Sequence, residues 1–183
     1  DRMLNAGGSF VAAYVDIDNF KPYNDVFGYR RGDDVIQTLA RLIGDVSDGR
    51  QDFVGHIGGD DFFVIFQSPD WEMRCWDLVR LFAKAMSGLL GVEERALGGY
   101  MAENRRGELC LQALPTLSIG AVRVTPGEFE SHRDVAAAAS VAKKQAKKRA
   151  RDPGNEAFRG SVFVERRRAM GDELLAAPMR ALN

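Results

Sequence analysis

Residues 55–66, GHIGGDDFFVIF, place a Gly-Gly pair and two adjacent carboxylates between apolar runs. Two such runs joined by a Gly-containing connection read as a β-hairpin. FVGHI and FFVIFQ would be its strands, with Gly58, Gly59, Asp60 and Asp61 at the turn. A buried hairpin needs other elements to cover it, and the rest of the chain supplies an alternation of strands and helices. SFVAAYVDI (9–17) is short, apolar and rich in β-formers, so it reads as a buried strand ending in the carboxylates Asp16 and Asp18. DNFKPYNDVFGYRRGD follows as a loop. Val35, Ile36, Leu39, Leu42, Ile43 and Val46 then recur at steps of three and four, predicting a helix from about Asp33 to Val46. Trp71, Cys75, Leu78, Phe82, Met86 and Leu89 predict a second one.

From Gly91 to Leu114 the pattern weakens to two modest strands around Asn104 to Gly107, an insertion or extended hairpin. LPTLSIGAVRVT (114–125) is the next strong strand, an Ala- and Lys-rich helix covers about Arg133 to Arg149, and FRGSVFVE (158–165) can close the sheet. The order predicts an α/β (α+β) fold, a ferredoxin-like βαββαβ palm with a central, mostly antiparallel sheet, plus the extra hairpin and helices. Residues 1–165 would form the domain and 166–183 a C-terminal tail.

With 183 residues, 45% of them hydrophobic, the chain can bury a full core in one domain. A net charge of -1 gives no general attraction to nucleic acid or to an anionic membrane, so any polyanion site must be local. No run of eighteen apolar residues spans a bilayer and Asp1-Arg2-Met3-Leu4 does not open a signal peptide, so a soluble, cytoplasmic piece is expected. Cys75 and Cys110 lack a metal-binding spacing and read as reduced thiols.

Asp16 at a strand end and Asp60 in the hairpin turn would meet at neighbouring strand ends of such a sheet. Paired hard oxygens of this kind suit Mg2+, which keeps its other positions for water and phosphate. The double glycine lets a phosphate-bearing ligand approach the backbone; the alternative is a tight turn with solvated acids beyond it. Asn24 and Asp33 offer the amide and carboxylate that a guanine edge requires. Lys143 and Lys147, four apart on a helix, share a face and could reach a triphosphate; the alternative is a solvated basic face. No aromatic residues interleave with these charges, which argues against RNA.

The pattern DIDNFKPYNDVFGYRRGDDV, followed by GGDDF and later by LSIGAV and the Ala-Lys segment, resembles the GGDEF domain of diguanylate cyclases over about residues 10–165. GHIGGDDF, NRRGEL and PGN are similar to the GGDEF domains that share a polypeptide with an EAL phosphodiesterase domain. The resemblance implies that Asp16 and Asp60 hold Mg2+ or Mn2+, with Ile17 adding its backbone carbonyl. It implies that the amides of Asn19 and Phe20 contact phosphate, that Asn24 and Asp33 read guanine, and that Lys21, Lys143 and Lys147 neutralise the triphosphate. Asp60 and Asp61 would be the catalytic acids. Two domains, each holding one GTP, would meet as a homodimer and form cyclic di-GMP.

Three departures accompany the likeness. Asp61 stands where the family has Glu, withdrawing the carboxylate by about 1.5 Å. The inhibitory Arg-x-x-Asp pattern keeps Asp52, but Gly49 occupies the Arg position, so product feedback there is not expected. The family's usual opening is missing, so the chain is expected to begin inside the domain's first helix. His56 reads as a hydrogen-bonded strand residue rather than a base. Two functions stay open: a diguanylate cyclase, or a catalytically weak GTP-binding module that regulates an attached EAL domain.

Overall fold

The computed structural model describes residues 2–103, 106–151 and 160–165. A short helix α1 (Arg2–Asn5) leads into the central strand β1 (Phe10–Asp18). Helices α2 (Phe20–Phe27) and α3 (Tyr29–Val46) precede the hairpin of β2 (Phe53–Gly58) and β3 (Asp61–Phe66). Next come α4 (Trp71–Gly88), the short α5 (Val92–Leu97) and a separate ribbon of β4 (Gly99–Glu103) and β5 (Leu109–Ala113). Strand β6 (Thr116–Val124), helix α6 (His132–Ala150) and strand β7 (Gly160–Glu165) complete the order. The main sheet runs β2-β3-β1-β6-β7, antiparallel except for the parallel pair β6–β7. This is the mixed palm the sequence predicts, with helices on both faces. Residues 104–105 of the expected turn and the expected tail at 166–183 lie outside the described residues.

β1 is buried on both faces, which explains its nearly continuous apolar run. Alternate side chains divide between two cores. Val11, Ala13, Val15 and Ile17 pack with Val35, Leu39 and Ile43 of α3 and with Leu78, Phe82 and Met86 of α4. Phe10 and Ala12 pack with Val122 and Val124 of β6 and with Val135, Ala138, Ala139 and Ala142 of α6. Each fully buried Leu, Ile or Phe in these layers contributes about 1.5–3 kcal/mol relative to exposure.

The segment expected as a loop after β1 is instead α2. Phe20, Tyr23 and Phe27 give it an apolar edge, and Pro22 falls in the first turn, where its missing N–H disrupts no helical hydrogen bond. The ribbon braces this helix. Tyr100 of β4, only 2% exposed, meets Tyr23 and Phe27 edge-on, with ring centroids 6.1 and 5.1 Å away. The weakly patterned insertion therefore packs on the element that carries Asn24.

Candidate functional site

Strand parity decides which acids can meet. Tyr14, Asp16 and Asp18 share the parity of Phe10 and Ala12, so they face α6. On β3, Phe62, Val64 and Phe66 enter the other core, whereas Phe63 and Ile65 pack on the α6 side. That alternation carries Asp61 to the α6 face. The antiparallel register, with Val15 opposite Phe62, brings Asp61 beside Asp16. Asp60 lies one residue earlier, in the two-residue turn with Gly59, where Gly58 and Gly59 both adopt positive φ. The acid that pairs with Asp16 is therefore Asp61, and Asp60 occupies the turn at the rim.

Helix α6 closes over these acids because β6 has no side chain at position 120. A Cβ on Gly120 would lie 2.1 Å from the Lys143 backbone nitrogen. The close approach seats Lys143 over the sheet. Its Nζ is 3.0 Å from Asp16 Oδ2, 2.9 Å from Asp61 Oδ1 and 4.1 Å from the centroid of the Tyr14 ring. Lys147, one turn on, ion-pairs with Asp16 Oδ1, although that oxygen receives no well-aligned hydrogen bond.

The electrostatics follow from this packing. Burial lifts the Asp16 carboxyl above its ordinary value, and the ammonium groups of Lys147 and Lys143 only partly offset it. Asp61 is also partly buried, but hydrogen bonding by Lys143 and Asp16 brings it below the ordinary range. Burial would lower Lys143; the two acids outweigh it and hold the ammonium charged. Asp18, 8% exposed, accepts from Ser118 Oγ at 2.6 Å and Thr116 Oγ1 at 3.3 Å.

The remaining predicted residues frame this cluster. Asn19 caps α2 with φ 56°, and the N–H of Phe20 opens the helix's first turn. A left-handed residue leading into a helix is a common anion-binding concavity. The Lys21 side chain is exposed and pairs with Asp25 at 2.8 Å. Asn24 Oδ1 is buried without a hydrogen-bond partner among the described residues and points at Gly32, where a Cβ would lie 2.0 Å away. Asp33, next in the chain, is exposed on α3. The Ile17 side chain is in the core, so only its backbone is available to a ligand.

His56 lies within 2.9 Å of the Gly59 carbonyl and stacks on Phe62, as expected of a hydrogen-bonded strand residue. Asp52 is enclosed: it accepts from the backbone N–H groups of Asp48 and Gln67 at 2.8 and 2.9 Å. Its oxygens are thus used within the chain. Residues the sequence reading gave no role are Tyr14, Ser118, Thr116 and Gly120; counting by two from Asp16 along β1 would have found Tyr14.

The acids fit a divalent ion bound jointly with a ligand. Asp16 and Asp61 present hard oxygens on one face, and Asp16 Oδ1 has no aligned hydrogen bond. Among the described residues no group of three or more His, Cys, Asp or Glu converges as a self-sufficient metal site. Two carboxylates with positions left for phosphate and water is the pattern preferred by Mg2+. No described helix is long and apolar enough to cross a membrane.

Residues 2–90 match the family described as "Diguanylate cyclase, GGDEF domain". A diguanylate cyclase of Vibrio cholerae serotype O1 is 41% identical over 58 residues, 32% of this chain and 18% of that protein. The chain thus spans under a fifth of that relative's length. Among solved structures, the coiled coil and GGDEF domain of DgcB from Caulobacter crescentus, in complex with c-di-GMP, is 26% identical with a TM-score of 0.61. The alignment covers 90% of this chain and 73% of that one. The active GGEEF domain of a diguanylate cyclase from Vibrio cholerae shares the fold at 21% identity and TM-score 0.59, covering 91% and 89% of the two chains.

Proposed function

Residues 2–90 belong to the GGDEF family of diguanylate cyclase domains, and from that premise we propose that the chain binds GTP and condenses two molecules into cyclic di-GMP across a homodimer. The observation that carries the reading is the convergence of Asp16, Asp61, Lys143 and Lys147 on one face of the sheet, at the strand end from which α2 departs.

Asn24 and Asp33 hold the guanine edge, the amides of Asn19 and Phe20 receive phosphate, and Lys21, Lys143 and Lys147 neutralise the triphosphate. Asp16 and Asp61, with the Ile17 carbonyl, would hold Mg2+ or Mn2+. Such an ion, when bound, lowers the charge barrier at the α-phosphate and steadies the leaving pyrophosphate. The 3′-oxygen of each nucleotide forms a bond to the α-phosphorus of the other, each α–β bond breaks, and two pyrophosphates and two protons leave. Asp60, in the turn, is assigned the proton of the incoming hydroxyl. Phosphoryl transfer gains chiefly from positioning and charge neutralisation, which is what these groups supply.

Incubation with GTP and Mg2+ should yield cyclic di-GMP on chromatography, and Asp16→Asn should abolish it. A second reading is favoured by one observation: Asp61 has a shorter arm than the family's Glu and is already engaged by Lys143. In that case the chain holds GTP and regulates an attached EAL phosphodiesterase domain without turnover of its own. Asp61→Glu decides between them. If reach is what limits the chemistry, product formation rises by roughly tenfold to a hundredfold. GTP binding with no product from either form supports the regulator, and absence of both binding and product removes both readings.

A further inference from the structure

The ammonium of Lys143 is placed as a bound cation would be. It lies within 3.0 Å of carboxylates from two different strands, its side chain is only 17% exposed, and the Tyr14 ring closes the third side. Lys147 neutralises the other oxygen of Asp16. Two ammonium groups thus balance two carboxylates in the chain on its own. A divalent ion approaching Asp16 and Asp61 must take the place of one ammonium while repelled by the other.

We propose that Lys143 is the resident cation of the nucleotide-free site: it holds the position between Asp16 and Asp61 until the phosphates of GTP draw its head group away, and only then does a divalent ion enter. This rests on the GTP-binding reading above. The movement needs no shift of α6. The helix is fixed by its close seat on Gly120, while the four-carbon stem of Lys143 is flexible and its compact charge can swing to a neighbouring phosphate. Because coupling is reciprocal, nucleotide must tighten metal binding by the same factor by which metal tightens nucleotide binding. The chain would therefore not carry a preloaded ion.

Mn2+ binding to the full chain, followed by electron paramagnetic resonance, tests this with and without the α,β-methylene analogue of GTP. Asp16→Asn supplies the blank for metal carried by nucleotide alone. Wild type should bind Mn2+ at least about tenfold more tightly with the analogue than without it. Lys143→Met should tighten nucleotide-free Mn2+ binding by about tenfold or more and shrink the coupling. Lys143→Gln, a second uncharged replacement, should behave alike if either variant melts early. Equal Mn2+ affinity with and without the analogue, or uncharged variants that bind nucleotide-free Mn2+ no better than wild type, overturns the inference while leaving GTP binding standing. If wild type takes up no Mn2+ above the blank even with the analogue, the metal–GTP reading itself falls.

Discussion

Asp18 lies on the same face as Asp16, yet it is solvated inside the protein by hydroxyls. Ser118 and Thr116 donate to it, while Lys147 and Arg151 act through space. Burial raises its carboxyl above the ordinary 3.8, and the Ser118 hydrogen bond only partly counters this. The folded chain therefore holds that proton more tightly than the unfolded chain. As pH rises from 3.8 through the raised folded value, the native state is the one with more bound protons, and stability falls. At neutral pH the ionised Asp18 is thus a net cost. Asp18→Asn should melt above wild type at pH 7, followed by circular dichroism, with the gap closing as pH approaches 3.8. A variant that melts lower at pH 7 would show that the two hydroxyls over-compensate burial. Asp61 has the opposite sign: its lowered value stabilises the fold above the ordinary carboxylate range, and that contribution is lost as pH falls through the folded value.

At the scale of elements, the strands and long helices were legible because their apolar spacing is strong. α3 begins at Tyr29 rather than near Asp33, and α6 runs from His132 to Ala150. α2 was hidden: it is eight residues long, contains Pro22 and has no side-chain cap, so no local signal separates it from a loop. The pairing of Asp61 rather than Asp60 with Asp16 was hidden for a different reason. In a strand buried on both faces the run of apolar residues carries no alternation, so face assignments appear only once the register is known. Lys143 and Lys147 could be placed on one helix face, but not over the acids, since that depends on Gly120. Gly120→Ala tests this placement. The added methyl would collide with backbone rather than with a movable side chain, so α6 must lift. Overpacking of this kind costs about 1–3 kcal/mol. A lower Tm should be accompanied by a larger loss of GTP affinity than the Tm change alone accounts for, read by calorimetric titration at a temperature where the variant is fully folded. Unchanged GTP affinity would separate the lysines from nucleotide binding.

The whole molecule presents an asymmetry. One face of the sheet is sealed by α3 and α4, while at the β1 end of the other face a charged cluster includes a partly buried acid, Asp61, with Gly58 and Gly59 exposed at its rim. A single domain carries one set of the residues assigned to GTP, whereas the proposed product contains two guanylates joined symmetrically. Two copies related by a twofold axis satisfy that requirement, each presenting its nucleotide to the other. The rate should therefore depend on both partners being competent. If Asp16→Asn protein is mixed with wild type at equal concentrations and fixed total protein, random pairing leaves about a quarter of the pairs wholly wild type. Cyclic di-GMP formation should fall to about that fraction of the rate of undiluted wild type. Specific activity of wild type alone should also rise with protein concentration until pairing saturates. A linear fall to one half on mixing, together with specific activity independent of dilution, would mean that one chain suffices for the chemistry, and the symmetric pairing would have to be abandoned.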